Sequence, residues 1–283
     1  MQNKVWKIAF CNLKGGVGKT TLSVQFARWL ALHGKKVLLI DADCQGNASS
    51  TLIPESTGIE GQTFATLGIH CTKAAELFSD KCGSVIPYKT EAGIDIIPSE
   101  VADVDLVRCS FESMEASLNV ASNVSKVENE YDYVIFDCPP SLGTAVAGPL
   151  LASDRLIVPV VLGGNFQESI RSIRAAVDAI RSSTPKLKLL GYVVNNLPRN
   201  SPLDEKLFEN VKDWLGDDVF PTCIHNRLTT LRAGQLKKPV FGFLNKKASR
   251  ELTEFFDSIM DRLGESRLGL RKLQKRRNKW PLA

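Results

Sequence analysis

The residues best suited to chemistry come early in the chain. Lys14-Gly15-Gly16-Val17-Gly18-Lys19-Thr20-Thr21 follows a short apolar run, Val5–Cys11, and leads directly into a helical pattern over Thr20–His33. Glycines at 15, 16 and 18 let backbone N–H groups around Val17 turn inward on an anion, and the helix N-terminus behind them adds partial positive charge. Lys19 is then placed to reach the β- and γ-phosphates of a nucleotide and the Thr20 hydroxyl to ligate Mg²⁺, with Thr21 beside it. The usual spacing G-x-x-x-x-G-K-[ST] wants a glycine at position 13. This chain has Leu13 there and a lysine, Lys14, at the head of the loop. A glycine-rich turn between strand and helix also has a purely structural reading, but Gly-Lys-Thr in register favours phosphate.

Carboxylates close two further apolar runs. The second run ends in Asp41-Ala42-Asp43-Cys44-Gln45-Gly46-Asn47, and another in Asp137-Cys138-Pro139-Pro140-Ser141. An isolated Asp after a strand is usually a helix cap. Several strand ends that meet at one phosphate loop read differently. Asp137 is placed to hold Mg²⁺ through water, as suits that hard, hydrated ion, and Asp41 is a further candidate for ordering the metal shell.

The elements that must position these groups are legible as alternating patterns. Apolar, β-rich runs at Val5–Cys11, Lys36–Ile40, Ile94–Ile97, Tyr133–Phe136, Arg155–Val161, Leu187–Val194 and Val219–Ile224 read as strands buried on both faces. Helical periodicity fills Thr20–His33, Phe111–Asn129, Gln167–Ser182, Leu203–Leu215 and Ser249–Leu263. The alternation predicts an α/β fold, a doubly wound and mainly parallel sheet flanked by helices. Ligands in such a sheet sit at the C-terminal strand ends, here just after Cys11, Ile40, Phe136 and Val194. Gly46–Gly93 reads as a mixed loop-and-helix insertion.

Composition sets the outer limits. A chain of 283 residues, 43% hydrophobic and 24% charged, is neither disordered nor fibrous. No apolar run approaches the ~20 residues of a membrane-spanning helix, and the first strand begins too early to leave room for a signal peptide. The seven cysteines form no C-x-x-C and the three histidines are scattered, so the expected home is the cytoplasm, without disulfides or a zinc site. The net charge of +5 is uneven. Seven basic residues and no acid lie in 266–283, and without them the remainder carries −2. The expected layout is one domain over 1–265 and a basic tail over 266–283, suited to a polyanion or to simple solvation.

The loop Lys-Gly-Gly-Val-Gly-Lys-Thr-Thr resembles the deviant Walker A motif of the ParA/MinD family of P-loop ATPases, and the segments at 41–47 and 137–141 are similar to the family's next two motifs. The resemblance spans roughly residues 5–263. It implies ATP and Mg²⁺ as cofactors, Lys19 and Thr20 on the nucleotide, Asp43 positioning the attacking water, and Lys14 reaching across a nucleotide-sandwich homodimer to the partner's ATP. A charge supplied in trans would couple dimerisation to bound triphosphate; Lys14 also has a plain reading as a solvated loop lysine. Cys44 departs from the family's usual proline, and Val161–Asn165 lacks its common Gln and Glu. For the adenine edge the resemblance points to Asn195, with Asn196 as competitor and a turn role open to either.

Within the family the chain looks most like ParA. It starts at the first strand, without the helix-turn-helix extension of long plasmid-type members, and Ile97-Pro98-Ser99, Asp137-Cys138-Pro139-Pro140-Ser141 and Ile224-His225-Asn226-Arg227 with Pro239-Val240 follow ParA. The resemblance implies a partition ATPase. Its ATP dimer would bind non-specific DNA on the nucleoid and be released when a ParB-like centromere-binding or cargo adaptor protein stimulates slow hydrolysis. Arg227, Arg232, Lys237, Lys238, Lys246, Lys247 and Arg250, with Arg271, Lys272, Lys275, Arg276 and Arg277 of the tail, are the candidate DNA contacts, each singly open to a reading as a solvated charge. An alternative is a MinD-like positioning ATPase whose tail lies on membrane, with Leu263, Leu270, Leu273 and Trp280 on one helical side. Glycines at 264 and 269 interrupt that stripe, and charge outweighs it. A metabolic P-loop enzyme of the same fold would not need Lys14.

Overall fold

The computed structural model describes residues 4–53, 63–141, 143–163, 166–181, 184–198, 202–226, 240–241 and 246–268. Seven strands form one sheet: β1 Trp6–Phe10, β2 Val37–Asp41, β3 Tyr88–Lys89, β4 Asp95–Ile97, β5 Tyr133–Asp137, β6 Arg155–Val160 and β7 Lys188–Val194, in the order β3-β4-β2-β5-β1-β6-β7. All pairings are parallel except β3 with β4. The helices are α1 Lys19–Leu32, α2 Asn47–Leu52, α3 Val104–Cys109, α4 Met114–Val124, α5 Thr144–Ala152, α6 Phe166–Arg181, α7 Pro202–Leu215 and α8 Lys246–Leu263.

Alternation along the strands divides the core in two. Ala9, Leu38, Val134, Phe136 and Val158 face α4 to α7, whereas Ile8, Phe10, Leu39 and Ile135 face α1 and α8. The second face is aromatic: Phe26 packs on Trp29 and Phe256 with ring centroids 6.0 and 5.1 Å apart. β5 is the central strand with β1 beside it, and their C-terminal ends carry Asp137 and the phosphate loop.

Two expectations change. Val219–Ile224 is not a strand: Val219 makes one isolated parallel bridge to Tyr192, and the Phe220 and Ile224 N–H groups donate to Tyr192 and Val194 carbonyls 2.8 Å away. It borders β7 as an extended segment interrupted by Pro221, which has no N–H to give. The seventh strand is instead β3, two residues antiparallel at the far edge. The helix expected over Phe111–Asn129 is shorter, α4 running from Met114 to Val124. Within Gly46–Gly93, α2, a 3-10 turn at Ala74–Phe78 and β3 join the main sheet and its cover.

Candidate active site

The loop after β1 is built on a buried amide. Asn12 donates from Nδ2 to the Pro159 carbonyl in β6 (2.7 Å), while its Oδ1 accepts from the Lys14 N–H (3.0 Å) and the Ser169 hydroxyl of α6 (2.9 Å). Gly16 and Gly18 take φ of +72° and +92°, left-handed values that favour glycine. No heavy atom lies within 4 Å of where a side chain on Gly15 or Gly16 would begin, and both residues are exposed. Gly18 caps α1 without help from a side chain, and the first turn holds no acid. The helix's positive end is thus left for an anion from outside.

Lys19 is buried and donates from Nζ to the Lys14 carbonyl at 3.2 Å. Lys14 itself is exposed, its backbone held at both N–H and carbonyl. Thr20 is half-buried and Thr21 exposed. Asn195 comes to the loop from the end of β7: its Nδ2 donates to the Val17 carbonyl at 2.8 Å, and a side chain on Gly18 would overlap that amide. Asn196 is exposed at φ +58°, the turn residue of the pair.

Asp41 and Asp137 are register partners on β2 and β5, and both are fully buried. Asp41 accepts from the Ser49 N–H (2.8 Å), the Ser49 hydroxyl (2.7 Å) and the Asp43 N–H (3.3 Å). Burial nevertheless pushes its pKa up to about 7, with the charge of Asp43 adding to the effect. Asp137 is held well above the usual carboxylate range by burial first and then by Asp41. The Thr20 hydroxyl and Lys19 lie near and act in the opposite direction, yet by distance and angle neither Asp137 oxygen has a hydrogen-bond partner. Asp43, also buried, accepts from the Gln45 N–H at 3.0 Å. Three buried carboxylates therefore lie together, and Asp137 among them is close to the buried ammonium of Lys19. With Asp41 committed to α2, Asp137 is the open one, and beside the Thr20 hydroxyl it fits a hydrated divalent cation.

The sequence and the fold have counterparts in known proteins. A family model described as an AAA domain matches residues 5–189. Soj of Bacillus subtilis, a sporulation initiation inhibitor protein, is 31% identical over 238 residues, 82% of this chain and 89% of its own. The chromosome partitioning protein ParA of Caulobacter vibrioides is 32% identical over 250 residues, 84% of this chain and 87% of that one. The chain belongs to the ParA/MinD family of P-loop ATPases, close to ParA. A plasmid partition protein of Borrelia burgdorferi, solved with AMPPNP, shares the fold with a TM-score of 0.71 at 23% identity, over 92% of this chain and 98% of that one.

In this ParA-like ATPase the structure brings the phosphate loop, Asp41, Asp43, Asp137 and Asn195 together at the C-terminal strand ends. Sequence reasoning passed over Asn12, Ser49 and Ser169. The available signal for Asn12 was an amide at the end of a run that is apolar but for Lys7. Burial pushes the pKa of the half-buried Cys44 thiol up, which favours the protonated form. Of the candidate DNA contacts, Lys246 opens α8, and Lys247 and Arg250 are exposed on it, with Arg250 paired to Glu254 at 2.9 Å. Arg227, Arg232, Lys237, Lys238, Arg271, Lys272, Lys275, Arg276 and Arg277 lie outside the described residues. Leu263 is buried in the core and is not available to a membrane-facing stripe, and Arg267 turns back to pair with Asp261. Among the described residues no helix is long and apolar enough to cross a membrane.

Proposed function

We propose that the chain is a partition ATPase whose ATP-bound dimer grips non-specific DNA and lets go after hydrolysis. The observation that carries the reading is Lys14: an exposed ammonium at the outer rim of the phosphate loop, on a backbone fixed by Asn12 and Lys19. In that position its charge faces outward, where a second subunit's triphosphate would need it.

ATP would lie in the loop formed by Gly15 to Thr21. Lys19 would leave the Lys14 carbonyl for the phosphates, exchanging a neutral acceptor for a charged one. Thr20 and Asp137 would hold Mg²⁺, which when bound neutralises charge on the phosphates. Asp43 orients the attacking water and takes its proton late, while Lys19 and the partner's equivalent of Lys14 stabilise the developing charge. Slow turnover then works as a timer. Its value lies in the different DNA affinity of the ATP and ADP states, set by a ParB-like partner that hastens hydrolysis. The basic segments at 227–250 and 266–283 would supply a salt-sensitive grip on phosphates.

Molecular mass in solution tests the dimer. With ATP and Mg²⁺ the wild-type chain is expected to double in mass, and with ADP to remain single. A Lys14→Gln variant that binds ATP and doubles normally would overturn the reading.

A further inference from the structure

The Lys14 backbone is held at two points, and a bound triphosphate would treat them differently. Its carbonyl accepts from Lys19 Nζ at 3.2 Å, a bond that ends when Lys19 moves to phosphate. Its N–H donates to Asn12 Oδ1 at 3.0 Å, and no phosphate competes for that donor's partner. Among the described residues, the Asn12 contact is then the hydrogen bond that remains on the Lys14 backbone.

Asn12 is placed by the sheet. β1 and β6 run parallel, and the Cys11 N–H donates to the Ile157 carbonyl at 3.1 Å. In a continuing parallel pair the next donor would be the N–H of residue 13, to the Pro159 carbonyl. β1 ends before that point, and Asn12 Nδ2 takes the same acceptor at 2.7 Å. The side-chain amide stands in for a ladder rung, wholly buried. The atom facing Lys14 must be the amide oxygen, because the Lys14 N–H can only donate. That oxygen accepts a second bond, from the Ser169 hydroxyl near the start of α6, at 2.9 Å. α6 gives the hydroxyl a firm base, since Ile170, Ile173, Val177 and Ile180 on its inner side are buried. Three elements thus meet at one amide: β1 carries it, β6 takes its N–H and α6 fixes its oxygen.

We propose that Ser169 is a positioning residue for Lys14, acting through Asn12 once triphosphate has drawn Lys19 away. The proposal rests on the reading above that Lys14 serves a second subunit's nucleotide. Without the Ser169 hydroxyl, Asn12 still accepts from Lys14 but loses its support from α6. The head of the loop then regains freedom that dimer formation has to remove, which weakens the dimer. Ser169 itself contacts neither nucleotide nor metal in this reading, so its effect belongs to dimerisation and not to nucleotide capture.

The test uses the full chain with Mg²⁺ and either ADP or AMPPNP, a triphosphate analogue that is not hydrolysed. Dimer affinity is read from molecular mass over a concentration series, and ADP affinity from a titration. Ser169→Ala is expected to weaken the AMPPNP dimer about three- to tenfold, the worth of one hydrogen bond, and to leave ADP affinity unchanged. Alanine is the better helix former, so α6 persists in the variant and the melting temperature should hardly move. Ser169→Thr keeps the hydroxyl and should restore the dimer. Wild-type dimer affinity in Ser169→Ala overturns the proposal, as does an equal loss of ADP affinity, which would make Ser169 a plain brace of the loop. Lys14→Gln tells the two layers apart. If that variant dimerises like wild type, the reading of Lys14 falls and the role of Ser169 with it. If it does not dimerise while Ser169→Ala is unimpaired, only the role of Ser169 falls.

Discussion

The ammonium of Lys19 donates to the carbonyl of Lys14, 3.2 Å away, within the same loop. The residue read as the phosphate lysine is thereby stored on the backbone of the residue read as the trans lysine. On the proposed reading a triphosphate takes Lys19 from that carbonyl, so nucleotide binding breaks this contact.

Replacing Lys19 by Ala removes one charge-assisted contact to phosphate and leaves the Lys14 carbonyl to water. Such contacts contribute about 1.5–3 kcal/mol each, so ATP affinity should fall by about ten- to a hundredfold with little change in melting temperature. Titration of a fluorescent ATP analogue, beside a thermal melt, checks both halves.

Asn195 carries two roles that one substitution can separate. As an adenine reader it would set base selectivity. In the structure its Nδ2 donates to the Val17 carbonyl at 2.8 Å, inside the phosphate loop. Asn195→Ala is therefore expected to weaken ATP and GTP together, by about the tenfold that a lost hydrogen bond and a looser loop imply. A loss confined to ATP would return the residue to the base.

Asp137→Asn separates metal chemistry from folding. The carboxylate is buried, raised by Asp41 and without a hydrogen-bond partner, so the metal-free protein does not depend on its charge. The variant should melt no lower than wild type without Mg²⁺ and lose the extra stability that Mg²⁺ with ATP confers on the wild type. Thermal melts with and without Mg²⁺ read this directly.

Ser49→Ala should do the reverse. Asp41 loses the Ser49 hydroxyl, and the Ser99 N–H loses the same oxygen as acceptor at 3.0 Å. Two buried partners left short should lower stability by about 2 kcal/mol. Denaturant titration measures that loss, and ATP affinity should change far less.

How much of this was readable beforehand follows from what each residue does. β1, β2 and β5 declared themselves because strands buried on both faces are continuous apolar runs that end abruptly in functional residues. The loop from Lys14 to Thr21 declared itself because few other uses need those glycines beside that lysine. α5 did not: Thr144–Ala152 is buried throughout and apolar all round, so it has no amphipathic period to detect. β3 has two residues and a turn for context. Val219–Ile224 had a strand's composition, and tertiary contact with β7 gave it a strand's conformation at isolated bridges only. Asn12 and Ser49 act through partners more than a hundred residues away or on another element, and no local pattern carries that information.

The central claim is that ATP, and not ADP, makes this chain a DNA binder. Binding of the full chain to random-sequence duplex DNA, with ATP or ADP and Mg²⁺ over a salt series, tests it most directly. The account predicts tight binding with ATP that weakens steeply as salt rises, and markedly weaker binding with ADP at every salt concentration. Equal affinity in the two nucleotide states would contradict it.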